Sequence, residues 1–245
     1  MAFSYTGLAY LLGFFALGLL SYRFFQYWRR EKTTTSKLLF YFVGFLTLFM
    51  LITAIAGLFF AQNTKVLRQV VILTAFIHTF ALSSLGYLLI YLKFPKISPW
   101  LGFLAVFLLG LGAAIFNLFT PFEPYLEPGG GINWANPLLS AAILGFLFFI
   151  TFLFLFIILI QQAKTSADPL VKARAFGLGI AVGLGAITAF FDFFLERIFK
   201  LPVISSDITL GLLSITVIMI VLFTKKLPSP KKEEKYIPPS PTIQW

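Results

Sequence analysis

The apolar stretches of this sequence contain few side chains with reactive or hydrogen-bonding groups. The imidazole of a single histidine is the most versatile of these groups. His78 is the only histidine, and Thr74 lies one helical turn before it on the same helix face. An imidazole there can sense pH, ligate a metal or haem, or donate to a bound ligand. A hydrogen bond across helices to a hydroxyl or carbonyl is the structural alternative.

The sequence offers His78 no partners for a metal site. It contains no cysteine, and no carboxylate lies near His78 in sequence, whereas transition metals need several nitrogen, sulfur or oxygen ligands. We therefore predict no metal site and leave the identity of any cofactor open. A nucleophile paired with a base is also missing, so we predict that the chain is not an enzyme.

Two acids four residues apart, Asp192 and Glu196, form a second polar group. Asp192 is interpreted as a proton carrier or a ligand acceptor, since a buried acid in a membrane helix needs a function or a partner. The alternative is an ion cluster at the helix end, in which Glu196 pairs with Lys200 and Arg197 reaches the interface. The predicted ligand-binding residues are His78, Thr74, Asp192 and Asn117.

These residues lie on apolar stretches long enough to cross a bilayer. The chain has 245 residues, of which 59% are hydrophobic and 11% charged, and a spanning helix needs about 20 mostly apolar residues. The predicted spans are 5–25, 37–61, 66–91, 100–119, 137–161, 173–199 and 208–223. We therefore predict an all-α membrane protein, a seven-transmembrane helix bundle in a domain of residues 1–225.

The basic residues indicate the orientation of this bundle. Of the 19 lysines and arginines, 15 fall on loops one, three and five and on the tail, and the other side carries only Lys65, Arg68, Arg197 and Lys200. The positive-inside rule then places the N-terminus outside and the C-terminus in the cytoplasm of a multi-pass protein of the plasma (inner) membrane. The net charge of +10 is assigned to anionic lipids at the cytoplasmic face rather than to nucleic acid.

Small residues repeat every fourth position in span six, and its glycines Gly177, Gly179, Gly183 and Gly185 fall on these rows. Such rows let helices approach closely in lipid. We predict that they serve packing within the bundle, with a homodimer seam as the alternative.

Two connecting segments differ from the rest. Residues 120–136 contain three prolines and a glycine triplet, which favours turns and makes this outer loop the best candidate for a lid; a plain connector is the alternative. Residues 226–245 contain five prolines and several lysines, which predicts a flexible cytoplasmic tail.

Span six is glycine-rich and is preceded by the segment SADPLVKAR at 166–174, and a loop with prolines and glycines precedes span five. In these features the chain resembles the N-terminal seven-transmembrane sensor region of bacterial histidine kinases. The resemblance covers roughly residues 5–225 and implies that the bundle perceives a signal and passes it to an output domain. The sequence departs from that family in having no kinase domain after span seven, so kinase activity is not implied.

Two functions are consistent with these features of the sequence. The first is a receptor-like or sensor-like membrane protein without its own output domain, which binds a small apolar or lipid-like ligand and acts through a separate protein partner. The alternative is a structural or cofactor- and lipid-binding subunit of a larger membrane complex, whose 32 phenylalanines contact lipids or neighbouring helices. A receptor predicts an internal cavity near His78 and Asp192.

Overall fold

The computed structural model describes residues 4–190 and 203–225. Within these two segments the chain forms seven α-helices and one two-stranded hairpin. The helices are α1 (Tyr5–Glu31), α2 (Thr34–Phe59), α3 (Thr64–Lys93), α4 (Pro99–Phe119), α5 (Leu138–Thr165), α6 (Pro169–Phe190) and α7 (Val203–Lys225), and the strands are β1 (Tyr125–Leu126) and β2 (Ile132–Asn133).

Helices α1 to α6 are each long and apolar enough to cross a membrane, and α7 contributes a shorter apolar stretch, Asp207–Val221. The chain is therefore a multi-pass, all-α membrane protein. The predicted positions of the spans agree with these helices to within a few residues at most ends. Part of predicted span six, residues 191–199, and the predicted tail, residues 226–245, lie outside the described residues.

Local signals explain several helix ends. Side-chain oxygens of Ser4, Thr33 and Asn63 accept hydrogen bonds from the first turns of α1, α2 and α3, which satisfies amide groups that a helix start leaves unpaired. Helix α4 begins with Pro99, where a proline costs no hydrogen bond. These four helices therefore begin at residues that suit a helix start.

The helices form a ring with one helix outside it. Six helices form the ring in the order α1, α2, α3, α5, α6 and α7, and α7 packs against α1 to close it. Helix α4 packs against α3 and α5 from outside the ring. Most of α3 is buried, whereas α4 has few buried residues.

The two ends of the bundle differ. The hairpin end comprises β1 and β2 together with the starts of α1 and α7. At the opposite end, called the basic end, residues 32–33, 94–98 and 166–168 connect the helices, and Lys93 Nζ donates to Gln161 Oε1 at 2.6 Å.

Candidate ligand-binding site

An elongated apolar cavity of about 140 Å³ runs between the six helices of the ring. Helix α1 lines it from Tyr10 to Phe24, a stretch that covers about 21 Å along the helix axis at 1.5 Å per residue. Its walls are mostly leucine, valine and phenylalanine side chains. The cavity is therefore long and narrow.

The polar side chains that line this cavity are few and lie towards the hairpin end. They are Tyr10, His78, Thr188 and Asp207. The basic end of the cavity is lined instead by residues such as Leu20, Phe24 and Leu39. The cavity thus has an apolar body and one polar end.

His78 lies at this polar end, between two aromatic rings. Its ring centroid is 4.0 Å from that of Phe49 on α2 and 5.2 Å from that of Phe148 on α5. The side chain is 6% exposed. No hydrogen bond joins its imidazole to another side chain in the described part of the chain, so the nitrogens are available to a ligand.

A second, smaller space of about 40 Å³, here called the polar chamber, adjoins the cavity. Tyr10, Phe49 and His78 line both spaces. The chamber's remaining polar lining consists of Thr53, Thr74, Asn117, Trp134 and Asn136. A space of this size admits one or two water molecules or a small polar group.

Asn117 is the notable side chain of the polar chamber. It is 1% exposed, and its Oδ1 atom is buried without a hydrogen-bond donor. Leaving a buried polar atom unpaired costs about 1 to 3 kcal/mol, so such atoms need an explanation. A molecule in the chamber that donates a hydrogen bond would remove this cost.

A buried chain of hydrogen bonds holds the hairpin end together. The Ile132 backbone N–H donates to Thr6 Oγ1 at 2.9 Å, and the Thr6 hydroxyl donates to Asp207 Oδ2 at 2.6 Å. We call this arrangement the clasp; it joins β2, the first turn of α1 and the start of α7. The buried Asp207 carboxyl group thus has a hydroxyl hydrogen-bond partner, as buried polar groups generally do.

The hairpin packs against α2 and α3 at the hairpin end, and residues that follow β2 line the polar chamber. The Ile132 side chain is 0% exposed and packs with Ala56, Ala61 and Leu67. Trp134 lines the polar chamber and its ring centroid lies 6.1 Å from that of Tyr10. Gly130, with φ of 88°, allows the tight turn between the strands.

The structure brings together three of the four predicted ligand-binding residues. Thr74, His78 and Asn117 all line the polar chamber, from α3 and α4. The Thr74 hydroxyl donates to the Val71 carbonyl at 3.1 Å, which leaves its lone pairs free to accept. Asp192 lies outside the described residues.

The four glycines predicted to pack helices all face neighbouring helices of the same chain. A Cβ atom at Gly179, Gly183 or Gly185 would meet side chains of α5, and one at Gly177 would meet Ile220 of α7. The closest is at Gly185, where the Phe152 ring would lie 2.6 Å away.

Sequence reasoning missed Asp207 and Trp134 as site residues. Asp207 directly precedes the predicted last span, 208–223, whereas α7 begins four residues earlier, at Val203, and carries Asp207 into the bundle. Trp134 lies in the segment 120–136, for which only turns and a lid were predicted. The sequence signal that could have identified Asp207 is the position of this acid immediately before an apolar stretch.

No family model matches the chain, and no curated protein matches it in sequence. The likeness to sensor regions of histidine kinases therefore stays a prediction. Among residues 4–190 and 203–225, no group of three or more His, Asp or Glu side chains is placed to hold a metal ion.

Proposed function

We propose that this chain is a receptor-like membrane protein that holds one apolar-chain molecule in the elongated cavity. The observation that carries the proposal is the shape and lining of that cavity: about 140 Å³ drawn out between six helices, apolar along its body and polar at one end. A cavity of about 150 Å³ that is lined by apolar side chains stays dry and binds apolar molecules. The role proposed is therefore binding, not catalysis.

The same proposal includes the orientation of the protein in its membrane. The helices would cross the plasma membrane seven times, with the hairpin end outside and the basic end in the cytoplasm. The distribution of lysines and arginines supports this orientation. The polar end of the cavity would then open towards the outer face, beneath the hairpin.

The signal would leave through the basic end, where anionic lipids and a protein partner would bind. This part of the proposal rests on the resemblance to sensor regions and on the exposed basic side chains Lys93, Lys96 and Lys164. A ligand that fills the cavity contacts α6 and α7 as well as α1. It can therefore change how these helices pack at the basic end.

Filling the cavity is expected to prevent binding. Leu46 is buried on α2 and lines the cavity, so Leu46→Trp places an indole where the ligand chain would lie. We expect the amount of bound apolar molecule to fall by about tenfold or more, equivalent to about 1.4 kcal/mol. The measurement is mass spectrometry of organic extracts from the protein purified in phospholipid nanodiscs.

The matched control is Leu108→Trp, because Leu108 lies on α4, is 64% exposed and does not line the cavity. This variant should retain the bound molecule of the unmodified protein. Equal losses in the two variants, or no bound molecule in the unmodified protein at saturating apolar ligand, would contradict the proposal.

The orientation can be tested with single cysteines, since the chain has none of its own. Lys96 is exposed at the basic end, and Glu123 is exposed in the segment before β1. In intact cells, a membrane-impermeant maleimide is expected to label Glu123→Cys and to leave Lys96→Cys unlabelled until the membrane is opened. The reverse pattern would overturn the orientation.

A second candidate function, a subunit of a larger membrane complex, is favoured by one feature of α4. This helix packs outside the ring and exposes Trp100, Leu101, Leu104, Leu108 and Leu109. Such a surface suits either lipid tails or a neighbouring subunit. A second protein that co-purifies with the chain at a fixed ratio, and is lost on Leu104→Trp, would favour this candidate.

A further inference from the structure

One acid lies at the polar end of the elongated cavity. Among the described residues that line this cavity, Asp207 is the only aspartate, glutamate, lysine or arginine. The lining residues of α7 are Asp207, Leu210, Leu213 and Val217, and their spacing of three and four residues places them on one face of the helix. Asp207 therefore lies on the face of α7 that is directed at the cavity.

No basic side chain balances this acid within residues 4–190 and 203–225. Asp207 is 8% exposed, and its one hydrogen bond in this part of the chain comes from the Thr6 hydroxyl to Oδ2, at 2.6 Å. The charge that acts on it there belongs to another acid, Glu127, directly after β1. A buried carboxylate without a cation is costly. The polar end of the cavity therefore favours a positively charged group.

The neighbouring polar groups suit an ammonium ion, which donates three hydrogen bonds and accepts none. The Thr188 hydroxyl on α6 donates to the Leu184 carbonyl at 3.0 Å, so its lone pairs remain for a ligand. Tyr10 lies one helical turn after Thr6 on α1 and lines the cavity, and a cation interacts favourably with an aromatic face. A carboxylate or phosphate ligand would instead be repelled by Asp207.

The volume of the cavity limits the rest of the ligand. An apolar cavity of about 150 Å³ holds a molecule of the size of benzene, and this cavity measures about 140 Å³. A chain of about five carbon atoms with one polar atom at its end has that size. Because the cavity is long and narrow, an unbranched chain suits it, and the leucine, valine and phenylalanine walls match a hydrocarbon body.

From the position of this acid in an apolar cavity we infer that the ligand is a small primary amine, bound as its ammonium ion against Asp207. Its hydrocarbon body, of about five carbon atoms, then lies between the apolar walls. The inference rests on the proposed function of the cavity and specifies the class of its ligand. A free amine fits better than the ammonium head group of a phospholipid, which brings a phosphate with it.

A binding series of compounds of similar size tests the inference. The full chain in phosphatidylcholine nanodiscs is dialysed to equilibrium against radiolabelled n-pentylamine, with empty nanodiscs as the blank. Pentan-1-ol, hexane and pentanoate are added as competitors. Pentylamine is expected to bind to saturation, and each competitor to bind at least about tenfold more weakly. Adding phosphatidylethanolamine to the nanodiscs should leave pentylamine affinity unchanged; a tenfold fall, about the loss expected on competition, would overturn the assignment to a free amine.

The variant Asp207→Asn isolates the charge. Its amide oxygen can still accept from the Thr6 hydroxyl, so the clasp keeps this hydrogen bond while the negative charge is removed. Pentylamine affinity is expected to fall at least about tenfold, while pentan-1-ol affinity stays unchanged. The matched control is Asp168→Asn, the same substitution at an exposed acid of the basic end, for which both affinities should stay unchanged.

The cavity-filling variant Leu46→Trp separates the proposed function from the choice of ligand. If none of the four compounds binds to saturation, or if Leu46→Trp leaves every affinity unchanged, the proposed function of the cavity fails. If the alcohol, hexane or pentanoate binds as tightly as pentylamine and loses affinity in Leu46→Trp, the assignment of an amine is overturned and the proposed function stands. Full pentylamine affinity in Asp207→Asn would also overturn the assignment.

Discussion

Replacing Thr6 with valine is expected to lower the free energy of unfolding by about 3 kcal/mol, because two buried groups lose their partner at once. The Thr6 hydroxyl accepts from the Ile132 N–H and donates to Asp207 Oδ2. Valine has the same shape without the hydroxyl. The variant therefore leaves a buried carboxylate and a buried amide without the bonds that now compensate their burial.

The measurement is reversible unfolding in mixed micelles, followed by circular dichroism. The control is Thr216→Val on α7, where the hydroxyl donates to the Leu212 carbonyl of the same helix at 2.8 Å. We expect a change there within about 0.5 kcal/mol. Equal effects of the two substitutions would show that the clasp contributes no more to stability than a threonine hydroxyl that bonds within its own helix.

Replacing Gly57 with alanine is expected to cost about 3 kcal/mol, although the added group is a single methyl. A Cβ atom at Gly57 would lie 2.7 Å from Gly7 Cα, and one at Gly7 would lie 2.8 Å from the Gly57 carbonyl carbon. These are backbone atoms and cannot rotate away. The methyl group must therefore push α1 and α2 apart near the hairpin end.

Gly112→Ala on α4 is the matched control, since a Cβ atom there meets nothing within 4 Å. Alanine favours a helix over glycine by about 1 kcal/mol, so this variant should be slightly more stable than the unmodified protein. The same substitution is thus expected to change stability in opposite directions at the two sites. A stabilising effect of Gly57→Ala would show that α1 and α2 are not in close contact there.

The helices were predictable because apolar length is a strong signal in a membrane protein. The predicted spans one to five overlap α1 to α5 almost throughout. Differences occur at ends where the sequence has no strong stop. For example, α1 continues from Phe25 to Glu31, since the polar residues after Phe25 still favour a helix.

The site was predictable only in part. The rule that polar side chains inside membrane helices have functions selected Thr74, His78 and Asn117, and these residues do line one chamber. Their proximity could not be predicted, because it depends on how α3 and α4 pack. The same applies to Tyr10 and Phe49, which are unremarkable aromatic residues in sequence and become lining residues only when the ring of helices closes.

The hairpin shows why long-range contacts cannot be predicted from a single sequence. Prolines and glycines in residues 120–136 predict turns, and the segment does turn. The sequence does not indicate that Ile132 enters the bundle or that its N–H bonds to Thr6, 126 residues away. Such contacts follow from packing between distant segments, for which a local pattern contains no signal.

The clasp has a consequence for the order in which the protein is made. Asp207 follows Thr6 by 201 residues, so during synthesis the first helix reaches the membrane long before its carboxylate partner exists. Until α7 arrives, the seam between α1 and α6 is open to the surrounding lipid. The ring of helices therefore cannot close until α7 has been synthesised.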